Sequence, residues 1–483
     1  MNYKMVFTIV GRVIALEAGL MLVPLLVALA YGESVKGFLA AMIAAVVIAA
    51  VMLLLCRTKN TVIFAKEGFA TVSLAWVFIS LIGAIPFTVE GEIPNYIDAL
   101  FETISGFTTT GASILTDVEA MSKGLLFWRS FTHWIGGMGI LVLMMAVLPM
   151  SHRYSMHIMR AEVPGPTASK LVPKAQNTSM ILYVIYVALT IIEVVFLICG
   201  GLPVYDAFIH AFGTAGTGGF GMYSASIGYY NSVYVDVVIG IFMILFGINF
   251  NIYFLLLLKK FKTALKNEEM LCYLGIVAFA TVTISINIQQ LYESFGQSLR
   301  YSFFQVASII TTTGYATTDF NLWPQYSKTV LVVLMFIGAC AGSTGGGIKV
   351  SRFMILFRAA KSEVKHLLRP HSYNTVKING ETVEKSTLRS TLVFFFVYII
   401  IILISILFVS LENFDTETTV TSVIACVSNI GPGLSLVGPS GNFASFSAFS
   451  KLVLSACMLF GRLEIFPLLM LFSPYTWRRS SRF

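Results

Sequence analysis

Of 483 residues, 57% are hydrophobic and 12% charged, and Lys plus Arg outnumber Asp plus Glu by 32 to 24. An average soluble domain is about 25% charged, and at a mean hydropathy of +0.83 a soluble enzyme of this length could not hide its apolar surface. The basic excess falls in loops between apolar runs, which assigns it to membrane orientation and not to nucleic acid. Cys56, Cys199, Cys272, Cys340, Cys426 and Cys457 form no CxxC pair, so no disulfide or metal framework is readable.

The N-terminus has no short apolar region followed by a small-residue cleavage site and reads as a retained first span. Ten apolar segments follow one another: about 6–31, 37–55, 69–88, 125–149, 179–200, 232–258, 270–288, 328–357, 391–411 and 450–472. Each is long enough to cross a core of about 30 Å. The fold class expected is an all-α polytopic membrane protein with ten transmembrane helices. Alternate loops are basic: Arg57 to Lys66, Arg153 to Lys174, Lys259 to Lys266, Arg352 to Arg369 and Arg478 to Arg482. The opposite loops carry Glu90, Glu92, Asp98, Asp117, Glu119, Asp319, Glu412, Asp415 and Glu417. The positive-inside rule puts the basic set, and both termini, in the cytoplasm.

Each of the last four outer connections is too apolar for a simple loop. Each reads as a short helix, a Gly-centred tight segment, then polar residues. The segment from Asp98 to Thr109-Thr110-Gly111-Ala112 aligns without a gap with that from Asp206 to Thr217-Gly218-Gly219-Phe220. Ile310-Thr311-Thr312-Thr313-Gly314-Tyr315 is the third, and Ser428-Asn429-Ile430-Gly431-Pro432 the fourth. The chain then divides into two accessory helices (1–67) and four pseudo-repeats (68–152, 153–266, 267–370, 371–483) of helix, pore helix, filter and helix around one pore.

Non-helical backbone at membrane depth is tolerated only inside protein or along a wet cavity. Four such segments on one axis would surround a file of ions with backbone carbonyls. Gly permits conformations closed to other residues. The half-helices enter from outside, so their negative C-terminal ends favour a cation. An oxygen cage without carboxylates suits a monovalent cation. The expected ion ligands are Thr109, Thr110 and Gly111; Thr217, Gly218 and Gly219; Thr312, Thr313 and Gly314; and Asn429, Ile430 and Gly431. Thr217-Gly-Gly-Phe-Gly221 and Thr312-Thr-Gly-Tyr-Ala316 resemble the Thr-Val-Gly-Tyr-Gly filter of potassium channels. Ala112 and Pro432 replace the aromatic, and Asn429 replaces the Thr.

With Trp134-Ile-Gly-Gly-Met-Gly-Ile140, Gly342-Ser-Thr-Gly-Gly-Gly-Ile-Lys349 and Gly461-Arg462-Leu-Glu464, the chain resembles the TrkH/TrkG potassium-uptake proteins, in the superfamily with KtrB and the plant HKT transporters. The two extra N-terminal spans look more like TrkH than KtrB. The resemblance implies potassium as the transported ligand and no organic cofactor on this chain. It implies a homodimer in the plasma membrane of a prokaryote, with a cytoplasmic ring of TrkA-type nucleotide-binding subunits. In plant relatives a Ser at the first filter glycine goes with sodium preference; Gly111 stands there in this chain.

Five glycines in ten residues, Gly338, Gly342, Gly345, Gly346 and Gly347 among them, must break the eighth span. By resemblance this segment is a gate under the filter. Its Gly-Ile-Lys-Val ending lacks the Gly-Lys-Ser/Thr of a phosphate loop, and Gly216-Thr-Gly218-Gly-Phe-Gly221 lies between spans, outside any dinucleotide fold. Arg462 is the most costly residue for a bilayer; it reads as a barrier in the ion path, against a brace to Glu464. Glu17, Arg129, His133 and Glu193 are either helix-to-helix pairs or a coupling-ion path. Asp98 and Asp206 read as helix N-caps or as charges that attract cations at the mouth. Asn379-Gly380 suggests a hairpin turn in the long basic stretch 358–389, which is the best surface for a partner or for lipid. An enzyme is not expected, since no Asp/His/Ser constellation lies at membrane depth. The functional expectation is gated potassium uptake; the alternative is a sodium-permeable or H⁺- or Na⁺-coupled symporter of the same fold.

Overall fold

The computed structural model describes residues 1–58, 64–139, 175–370 and 375–477. Six described helical stretches are long and apolar enough to cross a membrane: Tyr3–Ala30, Lys36–Leu55, Ala65–Glu90, Ser179–Cys199, Glu268–Asn287 and Lys385–Glu412. A seventh arises if Val233–Phe246 and Phe250–Leu257, bent by 89°, are counted as one. Among the described residues, then, six or seven of the ten expected spans are continuous apolar helices of membrane-crossing length.

The difference lies in the four segments expected at 125–149, 232–258, 328–357 and 450–472. Their helices are Lys123–Gly137, Val233–Phe246, Gln325–Ile337 and Ala448–Arg462, of 15, 14, 13 and 15 residues. At 1.5 Å per residue each covers about 20–23 Å and stops short of a 30 Å core. We call these the returning helices. The first ends near Gly139, with φ 83°; the stretch 140–149 lies outside the described residues. The second bends where Asn249 caps Phe250–Leu257, its side chain accepting from Asn251 N. The third gives way at Gly338, and a helix resumes only at Val350–Leu368. The fourth turns at Glu464 and Ile465, with φ 54° and 67°, before Phe466–Phe472.

Four half-helices precede the returning ones: Tyr96–Phe107, Val204–Gly216, Phe295–Ile310 and Thr416–Val427. Asn95, Ser294 and Asp415 cap three of them, each side chain accepting a backbone N–H of the first turn. Asp98 and Asp206 are not caps. Each is already the third helical residue, one turn too late to accept from N2 or N3. Asp98 instead pairs with Lys451 Nζ at 2.7 Å, and Asp206 accepts from the Tyr230 hydroxyl at 2.8 Å.

Each half-helix packs against its own returning helix and against the returning helix of the unit before it, and the first packs against the last, Ala448–Arg462. The four thus close into a ring. Their faces are buried nearly all round, polar residues included. The apolar faces left outside, such as Ile43, Val46, Val47 and Leu54 on Lys36–Leu55, are exposed and suit lipid. In the long basic stretch, Lys377–Ile378 pairs antiparallel with Glu381–Thr382 in register Lys377↔Thr382. Asn379 and Gly380 turn it at φ 51° and 82°, the two positive values a two-residue Asn-Gly hairpin requires.

Candidate functional site

Every half-helix ends in the same left-handed turn. Thr109, Thr217, Thr312 and Asn429 have φ of 54°, 56°, 60° and 56°. The next residue in each case donates its N–H to the carbonyl five positions back: Thr110 to Ser105 (2.9 Å), Gly218 to Gly213 (2.8 Å), Thr313 to Ser308 (2.8 Å) and Ile430 to Ala425 (2.9 Å). This closes the helix as a C-terminal cap normally made with Gly. A side chain there costs about 1–2 kcal/mol, so all four positions hold a strained conformation that burial maintains; all four are fully buried.

The glycine two residues on is left-handed again: Gly111, Gly219, Gly314 and Gly431, at φ 79°, 77°, 84° and 92°. These glycines also lack room. A Cβ on Gly111 would overlap the carbonyl oxygen of Gly218, one on Gly219 that of Thr313, and one on Gly314 that of Ile430. On Gly431 it would stand 2.6 Å from the carbonyl oxygen of Thr110. Strand one faces two, two faces three, three faces four, and four faces one. The carbonyl oxygens before the glycines therefore line the seams of a closed ring. Outside it lies a cavity of about 110 Å³ bordered by all four glycines and by Arg129, with no carboxylate among the described residues that line it.

The TrkH family profile, described as a cation transport protein, matches residues 34–478. The chain belongs to the TrkH family. It is 36% identical to the Trk system potassium uptake protein TrkH of Salmonella typhimurium, over 99% of this chain and 100% of that one. It is 35% identical to the TrkG protein of Escherichia coli K12, over 86% of each. Its fold matches the crystal structure of the potassium transporter TrkH from Vibrio parahaemolyticus with a TM-score of 0.88 at 30% identity, covering 99% of this chain and 100% of that one.

In this TrkH-family chain the glycine loop after Ile337 lies directly against the ring. Gly346 N donates to Thr312 Oγ1 at 2.6 Å. A Cβ on Gly346 would come 2.6 Å from the Ser428 carbonyl oxygen, and one on Gly345 3.0 Å from that of Thr311. Gly338, Gly342 and Gly347 take φ of 69°, 71° and 68°. The loop's other flank rests on the bent second returning helix: Cys340 N donates to Gly247 O and Phe250 N to Gly342 O, both at 3.0 Å. Lys349, buried, donates from Nζ to the Gly345 carbonyl inside the loop.

Arg462 joins ring, loop and helix end. Nη1 donates to Thr109 Oγ1 at 3.3 Å and to the Thr344 carbonyl at 2.9 Å. Nη2 donates to the carbonyls of Gly136 and, at 2.6 Å, Gly137. The alternative brace is not formed: Glu464 pairs with Arg352 at 2.6 Å, since Leu463 breaks the helix between the two. Asn429, in place of Thr, donates from Nδ2 to Thr110 Oγ1 at 3.0 Å and to the Met458 carbonyl at 2.9 Å. It thereby sews strand four to strand one. Gly218 is small because the His133 ring lies where its Cβ would go; His133 Nδ1 bonds the Gly106 carbonyl at 2.7 Å.

Two residues escaped the sequence reading. Glu269 Oε1 accepts from Ala341 N (2.7 Å) and Ser351 N (3.2 Å), one on each limb of the loop. Glu102, on the first half-helix, pairs with Arg129 on the first returning helix at 2.6 Å. The signal for Glu102 was present: it stands nine residues before Gly111, as His210 stands before Gly219. Nothing comparable marks Glu269, an acidic residue in the first turn of a span. Glu17 and Glu193 are buried and have no ion-pair partner among the described residues.

Proposed function

We propose that the protein takes up potassium through the ring of Gly111, Gly219, Gly314 and Gly431. The observation that carries this is the closed ring itself: four chemically similar strands, each held left-handed twice, with backbone oxygens at every seam. Such oxygens replace the hydration shell of a monovalent cation, and the converging C-terminal ends of four half-helices add negative potential. Relatives are named potassium uptake proteins over their whole length, which supports the same cargo here. The residues from Thr109, Thr217, Thr312 and Asn429 to the ring glycines are the ion ligands, in four units at 68–152, 153–266, 267–370 and 371–483. Both termini lie in the cytoplasm. A potential of 100 mV supplies about 2.3 kcal/mol per charge, enough to drive uptake without a coupling ion.

The loop 338–349 is the gate, and Arg462, bonded to it and to Thr109, is the fixed cation that sets the barrier beneath the ring. Two copies of the chain act with a cytoplasmic TrkA-type nucleotide-binding ring, which biases the loop through differential contacts with its two states. The test is the reversal potential of purified protein in liposomes under crossed K⁺, Na⁺ and H⁺ gradients. It should follow the K⁺ gradient. A potential that tracks H⁺ or Na⁺ would replace this reading with coupled or sodium-permeable transport.

A further inference from the structure

The outer rim of the ring is held unequally. Nine residues before each ring glycine stands a buried polar residue: Glu102, His210, Gln305 and Ser422. Glu102 is the carboxylate of the set, and it is fully engaged. Its Oε1 accepts from Arg129 Nε at 2.6 Å and from Ser113 Oγ at 2.9 Å, and its Oε2 from Ile114 N at 2.9 Å. Ser113 and Ile114 are the second and third residues beyond Gly111. Arg129 reaches the other way. Its Nη1 donates to the Gly221 carbonyl at 3.1 Å, and its guanidinium lies 3.4 Å from the centroid of the Phe220 ring. Phe220 and Gly221 directly follow Gly219. One buried ion pair, with side chains 0% and 3% exposed, therefore spans the seam between the outer ends of strands one and two.

Strands three and four are held differently. Ser308 Oγ donates to the Tyr315 carbonyl at 2.6 Å, and Leu434 N donates to Thr421 Oγ1 at 2.9 Å. Both bonds are neutral and lie within their own unit, and the bonds that cross the next two seams are neutral as well: the Tyr315 hydroxyl donates to the Phe220 carbonyl at 3.2 Å and Asn321 Nδ2 to the Ser435 carbonyl at 3.3 Å. A buried ion pair is a poor way to gain stability over apolar packing, so its presence at this seam points to geometry. Bonds to ionised groups are shorter and stronger than neutral ones, and the guanidinium fork is rigid. Arg129 also borders the cavity outside the ring, where a bare positive charge would repel an entering cation.

We infer that Glu102 and Arg129 are positioning residues for ion discrimination: they fix the separation of strands one and two at the outer rim, and Glu102 keeps the cavity mouth neutral. The inference rests on the ring being the ion path. The experiment measures K⁺/Na⁺ and K⁺/Rb⁺ flux ratios and the half-saturating K⁺ concentration in proteoliposomes of the full chain, for Glu102→Gln, Arg129→Lys, Glu102→Asp and Ser113→Ala, with Gly111→Ser as the marker of the ring. Glu102→Gln should lower the K⁺/Na⁺ ratio about tenfold, by loss of charge-assisted bonds, and raise the half-saturating concentration. Arg129→Lys keeps the charge and loses the fork, so it should lower the ratio and leave the half-saturating concentration in place. Glu102→Asp should recover part of the ratio. A role in folding alone would reduce the number of active molecules and leave every ratio at the wild-type value. Should Glu102→Gln not fold, Ser113→Ala, which takes one hydrogen bond from the carboxylate, is read in the same way with a smaller drop expected. If Gly111→Ser lowers the ratio while the folded variants of the pair keep it, the inference is overturned and the ring stands. If Gly111→Ser has no effect, the ring reading falls and takes this inference with it.

Discussion

The chain treats its four units alike at the glycine ring and differently beneath it. At the ring, four half-helices end in one turn, repeat one hydrogen bond within 0.1 Å, and place four glycines at nearly one backbone conformation. Beneath it, each returning helix stops after 13–15 residues, but one ends at Gly137, one bends by 89°, one becomes a glycine loop and one turns at Glu464 and Ile465. Holding an ion in a cage of oxygens asks for equal contributions from all sides. Opening and closing a path asks for one movable piece and fixed neighbours to hold it. In the proposed function the loop of the third unit is that piece, and its contacts come from the second unit (Gly247, Phe250), the third (Glu269, Thr312) and the fourth (Arg462).

The comparison breaks most severely if the ring loses its likeness. Replacing Gly111, Gly219 or Gly314 by Ala adds a Cβ that overlaps a neighbouring carbonyl oxygen, at a backbone conformation that alone costs about 1–2 kcal/mol. Tracer Rb⁺ uptake should fall about tenfold or more, since about 1.4 kcal/mol is a factor of ten, with K⁺ over Na⁺ discrimination reduced. Gly431→Ala, with 2.6 Å of clearance, should be the mildest of the four. Absent effects at all four would remove the ring as the ion path.

Beneath the ring the expected sign is opposite. Arg462→Ala removes the cation that links Thr109 to the Thr344 carbonyl, and basal K⁺ flux should rise about several-fold, as loss of a charge near the path lowers a local barrier. Removing residues 343–347 should also raise flux and weaken control by the partner and its nucleotide. An unchanged flux from a folded, shortened protein would make the loop packing. Smaller again is Glu269→Gln, which keeps one acceptor but loses charge at the point where both limbs of the loop are tied. Charge-assisted bonds are worth about 1.5–3 kcal/mol, so a rise of about two- to fivefold in open-state flux is expected, read by single-channel or tracer recording. The smallest effect sharpens the likeness: Asn429→Thr makes strand four resemble the others and removes the bonds to Thr110 and Met458. Unfolding temperature should fall by a few degrees, for about 1 kcal/mol per lost bond, with selectivity little changed.

The ring was legible because repetition betrays it. Thr-Thr-Gly, Thr-Gly-Gly and Thr-Thr-Gly recur after similar half-helices, and Asn-Ile-Gly could be laid over them by position. The break after Ile337 was legible from glycine density, and the hairpin from Asn379-Gly380. The breaks within the apolar segments were hidden for a physical reason: hydropathy measures apolar length, and a helix broken by Asn249 or by Leu463 to Ile465 stays apolar on both sides of the break. No proline or glycine run announces the first place, and only Pro467, in the first turn of the next helix, marks the second. The partners of Arg462 were hidden for a different reason. They are backbone carbonyls, of Thr344, Gly136 and Gly137, and carbonyls carry no sequence signal.

The direction of the seams has a consequence for how the protein is made. Strand one is synthesised early, yet its Thr110 meets Gly431 and Asn429, the latter 319 residues later. Contacts so distant along the chain close last, after their entropy cost has been met by everything between. Until the fourth unit enters the bilayer, one side of the cage is missing and three strands hold left-handed turns without their final neighbour. If the ring is the ion path, as proposed, the nascent chain carries no finished conduit through most of its synthesis, and the proposed barrier residue Arg462, which follows Gly431 by 31 positions, arrives with the wall that completes the path.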